Sequence, residues 1–565
     1  MQKIKNNKLV LIIALLVSLL VVSPHLIFLQ KTGPAFQGVY QSFSDDEVYY
    51  QARIAEVLRG NWSIGNPYIK EHQADPFLQP PVAEWIVAIL VWITGLSVPV
   101  VTIIGDVFFV FFGFLFLFII FKRITKKKTL SLVYTSIFFL LFVSTFGRPV
   151  SPQVTIFFLF AGLLLIYDIY FGQDGVGSRK RNLHLFFGLV VGLSLFISPY
   201  YWTTLLVLYG LTSLSKKALW FLPTFLPLGF LYGVFTLRSS DFSGYTDAMA
   251  RFGLFNSHFP GSYTSIVLGL LTLIILLFAR KILSQKDWWL SLCFVASIFI
   301  LNWQNIITGQ VIQFSSHYLL VTILFILFVL AIIHKTLIDK MFDRRIFSAG
   351  VVLLIVLFFV QLGEFEGLCN STFHQKISSD LQEKKEVFDW LNQNTPKDSV
   401  VLTLGGDFDF LLPVYTHNNV YYNLYATLSV MPDSETENRW LLQNLFNPQI
   451  DATYITQHQR DFWMNRYIDS YYSKENRRKI SASLTGDEYV PETQISPDLI
   501  NDLFKRFKEY KSQPPITAIQ TYNLDYVILS KEYPHYAYAK GMLDRSKSIK
   551  KQEIIGDMVV YSVTR

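Results

Sequence analysis

Long runs of apolar residues, separated by short polar segments, dominate the first two thirds of the chain. A run of about 20 apolar residues is long enough to cross a bilayer as a helix. The pattern therefore predicts a polytopic α-helical membrane protein with about eleven spans. The predicted spans cover residues 9–29, 98–121, 129–146, 153–171, 185–198, 201–214, 218–237, 261–280, 288–307, 317–334 and 346–362.

The apolar run at 82–96 decides the topology, because counting it as a span moves every later loop to the other side. If it instead lies along the membrane surface, nearly all of the short basic clusters face the cytoplasm, where such clusters concentrate. We therefore predict a surface helix at 82–96 inside one long outer loop, residues 30–97. The first run lacks a small-residue cleavage site, which predicts an uncleaved span with a cytoplasmic N-terminus. The basic clusters lie at 122–128, 179–181, 216–217, 280–286 and 335–345.

Hydropathy falls from about residue 364. We divide the chain into a transmembrane domain, 1–363, and a soluble, extracytoplasmic, mixed α/β domain, 364–565. Helical spacing at 381–392 is followed by a buried-strand pattern at 399–404. Further strands are predicted at 420–422, 526–529 and 558–562, and a helical stretch at 434–512.

Composition agrees with a membrane protein. Of the 565 residues, 52% are hydrophobic and only 16% are charged, whereas soluble domains carry about 25% charged residues. The net charge of +7 comes from the predicted inner loops, so it does not indicate a nucleic-acid partner. Cys293 and Cys369 form no disulfide framework, and we find no zinc spacing, Walker motif or dinucleotide-binding glycine motif.

The polar motifs fall on the predicted outer face, and the most acidic of them is Asp45-Asp46-Glu47, just past the first span. Carboxylates this close raise one another's pKa, and acids beside lipid favour a functional interpretation over a solvated loop. Asp45 or Asp46 could act as a general base, with Glu47 in support, and Asp46 could bind a metal ion.

Cationic side chains on the same face are candidates for binding a phosphate group. Each also has a structural alternative, such as pairing with a neighbouring acid, extending to the membrane surface or facing solvent. The candidates are Arg53, Lys70, His72, Arg148, Arg251 and His258.

A second group of polar residues lies near predicted membrane ends. Asn302, Gln304 and His317 either line a cavity or form hydrogen bonds between helices. Asp407 follows a predicted strand and two glycines, and it belongs either to a loop over a site or to an ordinary acidic turn. All of these remain candidate substrate-binding residues.

The motifs resemble those of GT-C fold glycosyltransferases, which include protein O-mannosyltransferases, aminoarabinose lipid A transferases and the oligosaccharyltransferase catalytic subunit. The segment from Asp45 through Tyr50 to Arg53 is similar to the acidic signature that follows the first helix of that family. Gln79-Pro-Pro-Val-Ala-Glu-Trp85 is similar to the Pro-Pro segment that closes its outer loop.

Two further segments resemble oligosaccharyltransferase, with departures. Asn256-Ser-His-Phe-Pro260 is similar to its Ser-Glu-His-x-Pro loop, and Thr403–Phe410 lies where that family has Trp-Trp-Asp-Tyr-Gly. Gly405 and Gly406 replace the two tryptophans, which argues against sequon-directed N-glycosylation. The loop from Arg148 to Gln153 lacks an acidic pair, so the resemblance implies at most a weakly bound Mg²⁺ or Mn²⁺.

The resemblance implies a membrane glycosyltransferase of the cell (cytoplasmic) membrane. It would move a hexosyl or pentosyl group from a polyprenyl phosphate or diphosphate to an extracytoplasmic glycan, lipid or protein acceptor, with inversion. The alternatives are a lipid-sugar flippase or transporter and a non-catalytic protein that binds polyprenyl lipids. A single active site requires Asp45, Asp46, Arg251, His258 and His317 to converge on one cavity.

Overall fold

The structure is a computed structural model. It describes residues 8–44, 46–171, 177–213, 216–312, 315–340, 360–361, 363, 372–406, 408–486, 488–489 and 491–564.

Helices make up the N-terminal part of the chain, as the apolar runs predict. Helices α1 to α7 cover Lys8–Thr32, Glu47–Leu58, Val82–Thr94, Val98–Thr125, Lys128–Leu141, Val143–Phe146 and Ile156–Phe171. Helices α8 to α14 cover Gly177–Leu195, Pro199–Thr212, Leu222–Ser240, Tyr245–Arg251, Tyr263–Ala279, Gln285–Thr308 and Tyr318–Lys340. The short strands β1, Phe255–Asn256, and β2, Gln310–Val311, pair antiparallel within this region.

Within the described residues, five helices are long and apolar enough to cross a membrane, and several shorter apolar helices accompany them. This supports an integral membrane protein. The count of about eleven spans stays a prediction, and the span at 346–362 lies almost wholly outside the described residues. The five long helices are Lys8–Ala35, Val98–Thr125, Ala218–Ser240, Gln285–Thr308 and Tyr318–Ile338.

The expected helix at 82–96 is observed as α3. It begins directly after Pro80-Pro81 and ends at Gly95, whose φ of 66° is the left-handed conformation that often terminates a helix. Trp85 donates a hydrogen bond from its indole nitrogen to the carbonyl oxygen of Trp62, which fixes α3 against the outer loop.

The C-terminal part contains a five-stranded mixed sheet with the order β4-β3-β5-β7-β6. β3 is parallel to β4 and β5, and β7 is antiparallel to β5 and β6. The strands β3 to β7 cover Val400–Leu404, Asn419–Val420, Tyr526–Ser530, Ile549–Ile555 and Met558–Val563. Helices α15 to α23 cover Thr372–Asn394, Leu412–Tyr415, Asp433–Gln443, Ala452–Gln457, Arg460–Trp463, Ile468–Thr485, Pro497–Lys511, Pro515–Ile519 and Tyr536–Arg545.

The long outer loop packs directly on the C-terminal part. The amide nitrogen of Val420 donates to the carbonyl oxygen of Tyr68 over 3.0 Å, and the Asn66 side chain donates to Ala426. Buried aromatic residues of both parts, including Tyr49 and Phe388, belong to one apolar cluster. The acidic motif is therefore held between the helices and the sheet region.

Candidate active site

A cavity of about 300 Å³ lies where the outer loop, the helix ends and the C-terminal part meet. Its polar lining is drawn from distant parts of the chain, so the fold alone brings these groups together. The residues that line it are Asp46, Tyr49, Tyr50, Gln79, Pro80, Ala83, Glu84, Arg148, Val150, Ser151, Thr155, Ile197, Ser198, Pro199, Tyr200, Phe252, His317, Tyr425, Leu428, Met464 and Asn465.

Asp46 stands at the N-terminal end of α2, where its carbonyl oxygen accepts the amide hydrogen of Tyr50. Its carboxylate forms an ion pair with Arg148, which comes from the loop between α6 and α7. The two side chains keep 36% and 23% of their surface exposed. An ion pair this accessible to solvent is worth about 1 kcal/mol or less, so it can exchange partners.

Arg148 has unused hydrogen-bonding capacity in the cavity. Its Nε is buried with no hydrogen-bond partner among the described residues. Burial opposes the positive charge, but Tyr50 and Asp46 outweigh it and hold the pKa of the guanidinium above its usual value. A buried donor without a partner is costly, and an arriving anion would remove that cost.

Glu47 does not face the cavity but fixes the turn that presents Asp46. The amide nitrogen of Phe43 donates to its Oε2 over 2.9 Å, and the hydroxyl of Ser42 donates to the same atom. On its other side, Oε1 lies 3.5 Å from Nε2 of His25. These contacts position the turn, and a role of Glu47 in catalysis stays a prediction.

Glu47 and His25 belong to a buried polar network that extends to the loop carrying Arg148. His25 Nε2 lies 3.6 Å from Asp106 on α4, and Asp106 accepts a 2.5 Å hydrogen bond from the amide of Gln153. Gln153 also donates to the carbonyl oxygen of Phe146. The network therefore connects the two loops that present Asp46 and Arg148.

Another part of the cavity wall is aromatic. The His317 ring stacks on Tyr200 with 4.8 Å between the ring centroids and a 7° interplanar angle. Tyr425, Met464 and Asn465 close the cavity from the C-terminal part. The sequence carries no local signal for these last three, since only the tertiary fold moves residues this distant to the acidic motif.

An apolar groove of about 550 Å³ lies on the other side of the same segment. Pro80, Ala83 and Ile197 face the polar cavity, whereas their neighbours Pro81, Val82 and Phe196 face the groove. The groove also holds one cation, Arg238. The other residues that line it are Trp62, Ser63, Ala74, Pro76, Phe77, Trp85, Leu228, Leu231, Phe235 and Phe242.

Arg53 does not pair with the acidic triplet. Its buried guanidinium donates to Glu84 over 2.5 Å, to the carbonyl oxygen of Gln79 and to the hydroxyl of Tyr49. These hydrogen bonds join the start of α3 to α2 at a buried contact. Phosphate binding by Arg53 stays a prediction, and the geometry gives this side chain a positioning role.

Arg251 does not line the cavity either. It is fully buried and forms a 2.5 Å ion pair with Asp433, with further donation to the carbonyl oxygens of Thr427, Ser429 and Met431. These groups belong to the C-terminal part, so Arg251 joins that part to α11. The predicted convergence of five residues on one cavity is thus met by Asp46 and His317 but not by Arg251.

The loop cations Lys70 and His72 lie at the same junction and also outside the cavity. His72 contacts Asp75 over 2.6 Å and Glu435 over 3.0 Å. Burial opposes the charge on the imidazole, but hydrogen bonds to Asp75 and Glu435 outweigh it and raise the pKa of His72 to about 9. His72 is therefore protonated at neutral pH and joins the outer loop to α17.

The remaining candidates lie elsewhere. His258 lines a different cavity, described below. Asn302 is buried between α13 and α14, donating to Ile298 and Thr322, which is the helix-contact alternative. Gln304 donates to the carbonyl oxygen of Gln310. Asp45 and Asp407 lie outside the described residues, so the structure places neither of these two predicted residues.

The described carboxylates do not form a metal site. Of the described residues, no three His, Cys, Asp or Glu side chains are placed to hold a metal ion together. Asp46 is paired with Arg148 and Glu84 with Arg53, whereas Mg²⁺ and Mn²⁺ prefer several oxygen ligands. The divalent cation stays a prediction, and no step proposed below uses one.

No family model matches the chain, and no curated protein matches it. Among solved structures, it is similar to ArnT from Cupriavidus metallidurans bound to undecaprenyl phosphate, with 11% identity, 96% of this chain and 97% of that chain covered, and a TM-score of 0.45. It is also similar to the oligosaccharyltransferase AglB from Archaeoglobus fulgidus in complex with an inhibitory peptide and a dolichol-phosphate. That match has 11% identity, 95% and 72% of the two chains covered, and a TM-score of 0.42.

Both solved structures are GT-C fold membrane glycosyltransferases, the class that the sequence motifs resemble.

Proposed function

We propose that the protein is a membrane glycosyltransferase. It takes a hexosyl or pentosyl group from a polyprenyl phosphate or diphosphate and transfers it to an acceptor on the outer side of the cell membrane. The observation that carries the proposal is the shared wall, at residues 79–85 and 196–197, between the polar cavity and the apolar groove.

An amphiphilic donor fits this pair of cavities. Its phosphate and sugar need hydrogen bonds and a counter-charge, which Arg148 and the tyrosine hydroxyls of the polar cavity offer. Its hydrocarbon chain needs an apolar surface, and Phe77, Trp85 and Leu231 offer one in the groove. A soluble nucleotide-sugar has no hydrocarbon chain and would leave the apolar groove empty.

Arg148 and Asp46 supply the two groups that a single displacement needs, a cation for the leaving phosphate and a base for the acceptor. When the donor phosphate binds Arg148, the ion pair with Asp46 loosens and the carboxylate becomes free to accept a proton. The acceptor hydroxyl or amide loses its proton to Asp46, its heteroatom attacks the anomeric carbon, and the bond from that carbon to the phosphate oxygen breaks. The lipid phosphate leaves with the electron pair, and the sugar is inverted.

Asp46 has the geometry of a general base. It is presented by a helix start, braced from behind through Glu47 and partly open to the cavity. A positioned base contributes roughly 10²- to 10⁴-fold to a rate. Asp45 remains an alternative base, because it neighbours Asp46 in the chain.

The test uses the full chain in lipid nanodiscs with labelled polyprenyl-phosphate sugars. The wild type is expected to release polyprenyl phosphate when a suitable acceptor is supplied. The variant Asp46→Asn is expected to lose turnover by roughly 10²-fold or more, while its affinity for the donor lipid changes little.

Asp241→Asn is a matched control, since that acid follows α10 and does not line the polar cavity. Full turnover in Asp46→Asn, with turnover also retained in Asp45→Asn, would contradict the catalytic assignment. Donor binding without release by the wild type would instead favour the non-catalytic lipid-binding alternative, and movement of intact donor between leaflets would favour a flippase.

A further inference from the structure

We propose that a second, cationic cavity beside the membrane binds the phosphate group of an anionic membrane lipid. This cavity has a volume of about 900 Å³ and is separate from the proposed active site. It lies between the β1–β2 segment and α20, and its basic side chains are His258, Lys474 and Arg477. The proposal goes beyond sugar transfer and does not depend on it.

One face of α20 carries the polar wall of this cavity. Ser470, Ser473, Lys474 and Arg477 follow at i, i+3, i+4 and i+7, so they lie on the same side of the helix. All four line the cavity. Two cations together with two hydroxyls on one helix face form a donor set that can bind phosphate oxygens.

Neighbouring cations of α20 differ in their ion pairs. Arg478, the next residue after Arg477, pairs with Glu475 and Glu492 on another side of the helix. No carboxylate among the described residues forms an ion pair with Lys474 or Arg477. Like charges one turn apart repel, and a bound phosphate would remove that repulsion.

The opposite wall presents a histidine and a narrow backbone turn. His258 Nδ1 lies 3.0 Å from the carbonyl oxygen of Ile306, an arrangement in which Nδ1 carries the hydrogen. Its ring rests against Gly309, where a Cβ would come within 2.8 Å of the imidazole. The two walls meet at the hydroxyls of Ser257 and Ser473, 3.5 Å apart.

Exposed apolar residues next to the cavity indicate a lipid source for the phosphate. Ile307, in the last turn of the apolar helix α13, is 88% exposed. Ile480 and Leu484 continue the face of α20 one and two turns beyond Arg477, and both are exposed. A basic cluster flanked by exposed apolar side chains is typical of a contact with an anionic bilayer surface.

The donor phosphate is a less suitable occupant. Its proposed place is the cavity of Asp46 and Arg148, and the apolar groove that would hold its chain adjoins that cavity at 79–85 and 196–197. The segments 79–85 and 196–197 do not line the cationic cavity. We therefore assign this second site to a lipid of the surrounding bilayer.

The test measures lipid binding to the full chain by native mass spectrometry after reconstitution. The variant Lys474→Gln/Arg477→Gln is compared with the wild type in phosphatidylglycerol and in phosphatidylcholine. Each Lys or Arg at an anionic surface contributes about fivefold to binding. The variant is therefore expected to lose roughly 25-fold in affinity for phosphatidylglycerol at one site, with little change for phosphatidylcholine.

Lys505→Gln/Lys508→Gln is the matched control, since it removes two charges from α21, which does not line this cavity. Equal loss in both double variants would overturn the proposal, because it would reduce the effect to net charge. Loss of binding for polyprenyl phosphate alone would overturn the assignment to a bilayer lipid. Full competition by inorganic phosphate at millimolar concentration would assign the site to a soluble anion.

Discussion

At the scale of single residues, the structure separates cations that the sequence groups together. The guanidinium groups of Arg53 and Arg251 are buried and donate hydrogen bonds to protein partners. Arg148, in contrast, has a buried Nε without a hydrogen-bond partner among the described residues. All three are arginines near the predicted outer face. Only the tertiary contacts show which of them can accept an anion, since the partners of Arg53 begin 4 positions away and Asp433, the partner of Arg251, lies 182 positions away.

Replacing Arg148 tests its proposed contact with the donor phosphate. Arg148→Lys keeps the charge but loses the planar fork and the Nε–H. We expect KM for the donor to rise by about tenfold in Arg148→Lys and by about a hundredfold in Arg148→Gln, with a smaller change in kcat. Steady-state kinetics in nanodiscs provides the measurement.

Arg123→Lys and Arg123→Gln serve as the comparison, because Arg123 pairs with Asp168 and lines neither the polar cavity nor the apolar groove. If Arg148→Gln lowers kcat and leaves KM unchanged, Arg148 acts on the reaction step instead of on donor binding.

The candidate site is predictable from the sequence where its residues belong to short local motifs. The acidic turn, the Pro-Pro segment and Arg148 were all identified from local motifs, and Asp46 and Arg148 do meet. In the aromatic wall only His317 was a candidate, and the contacts of Glu47 with His25 and of His25 with Asp106 were not predicted. No local sequence motif marks these residues, because they come into contact only when the helices pack.

At the scale of elements, the position of α10 determines the apolar groove. Leu228, Leu231 and Phe235 of this helix line the groove, and α10 packs on α8 through two glycines four residues apart. A Cβ on Gly188 would come within 2.1 Å of the Phe221 carbonyl oxygen, and one on Gly192 within 2.6 Å of Leu228. Small residues at this spacing allow membrane helices to approach closely.

The variant Gly188→Ala is therefore expected to push α10 away from α8. Overpacking of this kind costs about 1–3 kcal/mol, so the thermal unfolding midpoint should fall and donor binding should weaken as the groove changes shape. Gly233→Ala is the control on α10 itself, because a Cβ there meets no atom within 4 Å. Equal stability and donor affinity in both variants would show that the α8–α10 contact does not shape the groove.

The elements themselves were partly predictable. Buried strands such as β3 and β5 were found from their apolar runs, because both faces are covered. The edge strand β6 was missed, since its sequence Ile-Lys-Lys-Gln-Glu-Ile-Ile is largely exposed and lacks that signal. The glycine pair of α8 was also missed, although a G-x-x-x-G spacing is readable from sequence alone.

At the scale of the whole molecule, ionic contacts hold the outer loop against the C-terminal part. His72 contacts Glu435, and Arg439 pairs with both Glu435 and Glu71. These contacts hold the acidic motif of the loop at the cavity, next to the sheet region. Both regions are predictable from the sequence but their contact is not, because charged residues at the contact have the same sequence pattern as solvent-exposed ones.

The pKa of His72 makes this junction sensitive to pH. Its value of about 9 in the folded state lies above the ordinary 6.5, so its stabilisation is complete below about pH 6.5 and is lost as pH rises through 9. A shift of this size corresponds to about 3 kcal/mol. The difference in thermal midpoint between wild type and His72→Gln should be largest at pH 6 and nearly absent at pH 10.

His535→Gln is the control for this series, since His535 precedes α23 and its ring contacts Tyr533 instead of the carboxylates of the junction. A difference for His72→Gln that stays constant from pH 6 to pH 10 would contradict a charged imidazole at the junction.

Photo-crosslinking tests the central claim that one lipid-linked donor occupies the polar cavity and the apolar groove together. Two polyprenyl phosphates would carry a diazirine, one at the headgroup and one in the hydrocarbon chain. The headgroup probe should label peptides containing residues 46–50 or 148–155, and the chain probe those containing 74–85 or 228–242, with both suppressed by unlabelled polyprenyl phosphate. Labelling of the same unrelated segment by both probes, or labelling that unlabelled polyprenyl phosphate does not suppress, would contradict the account.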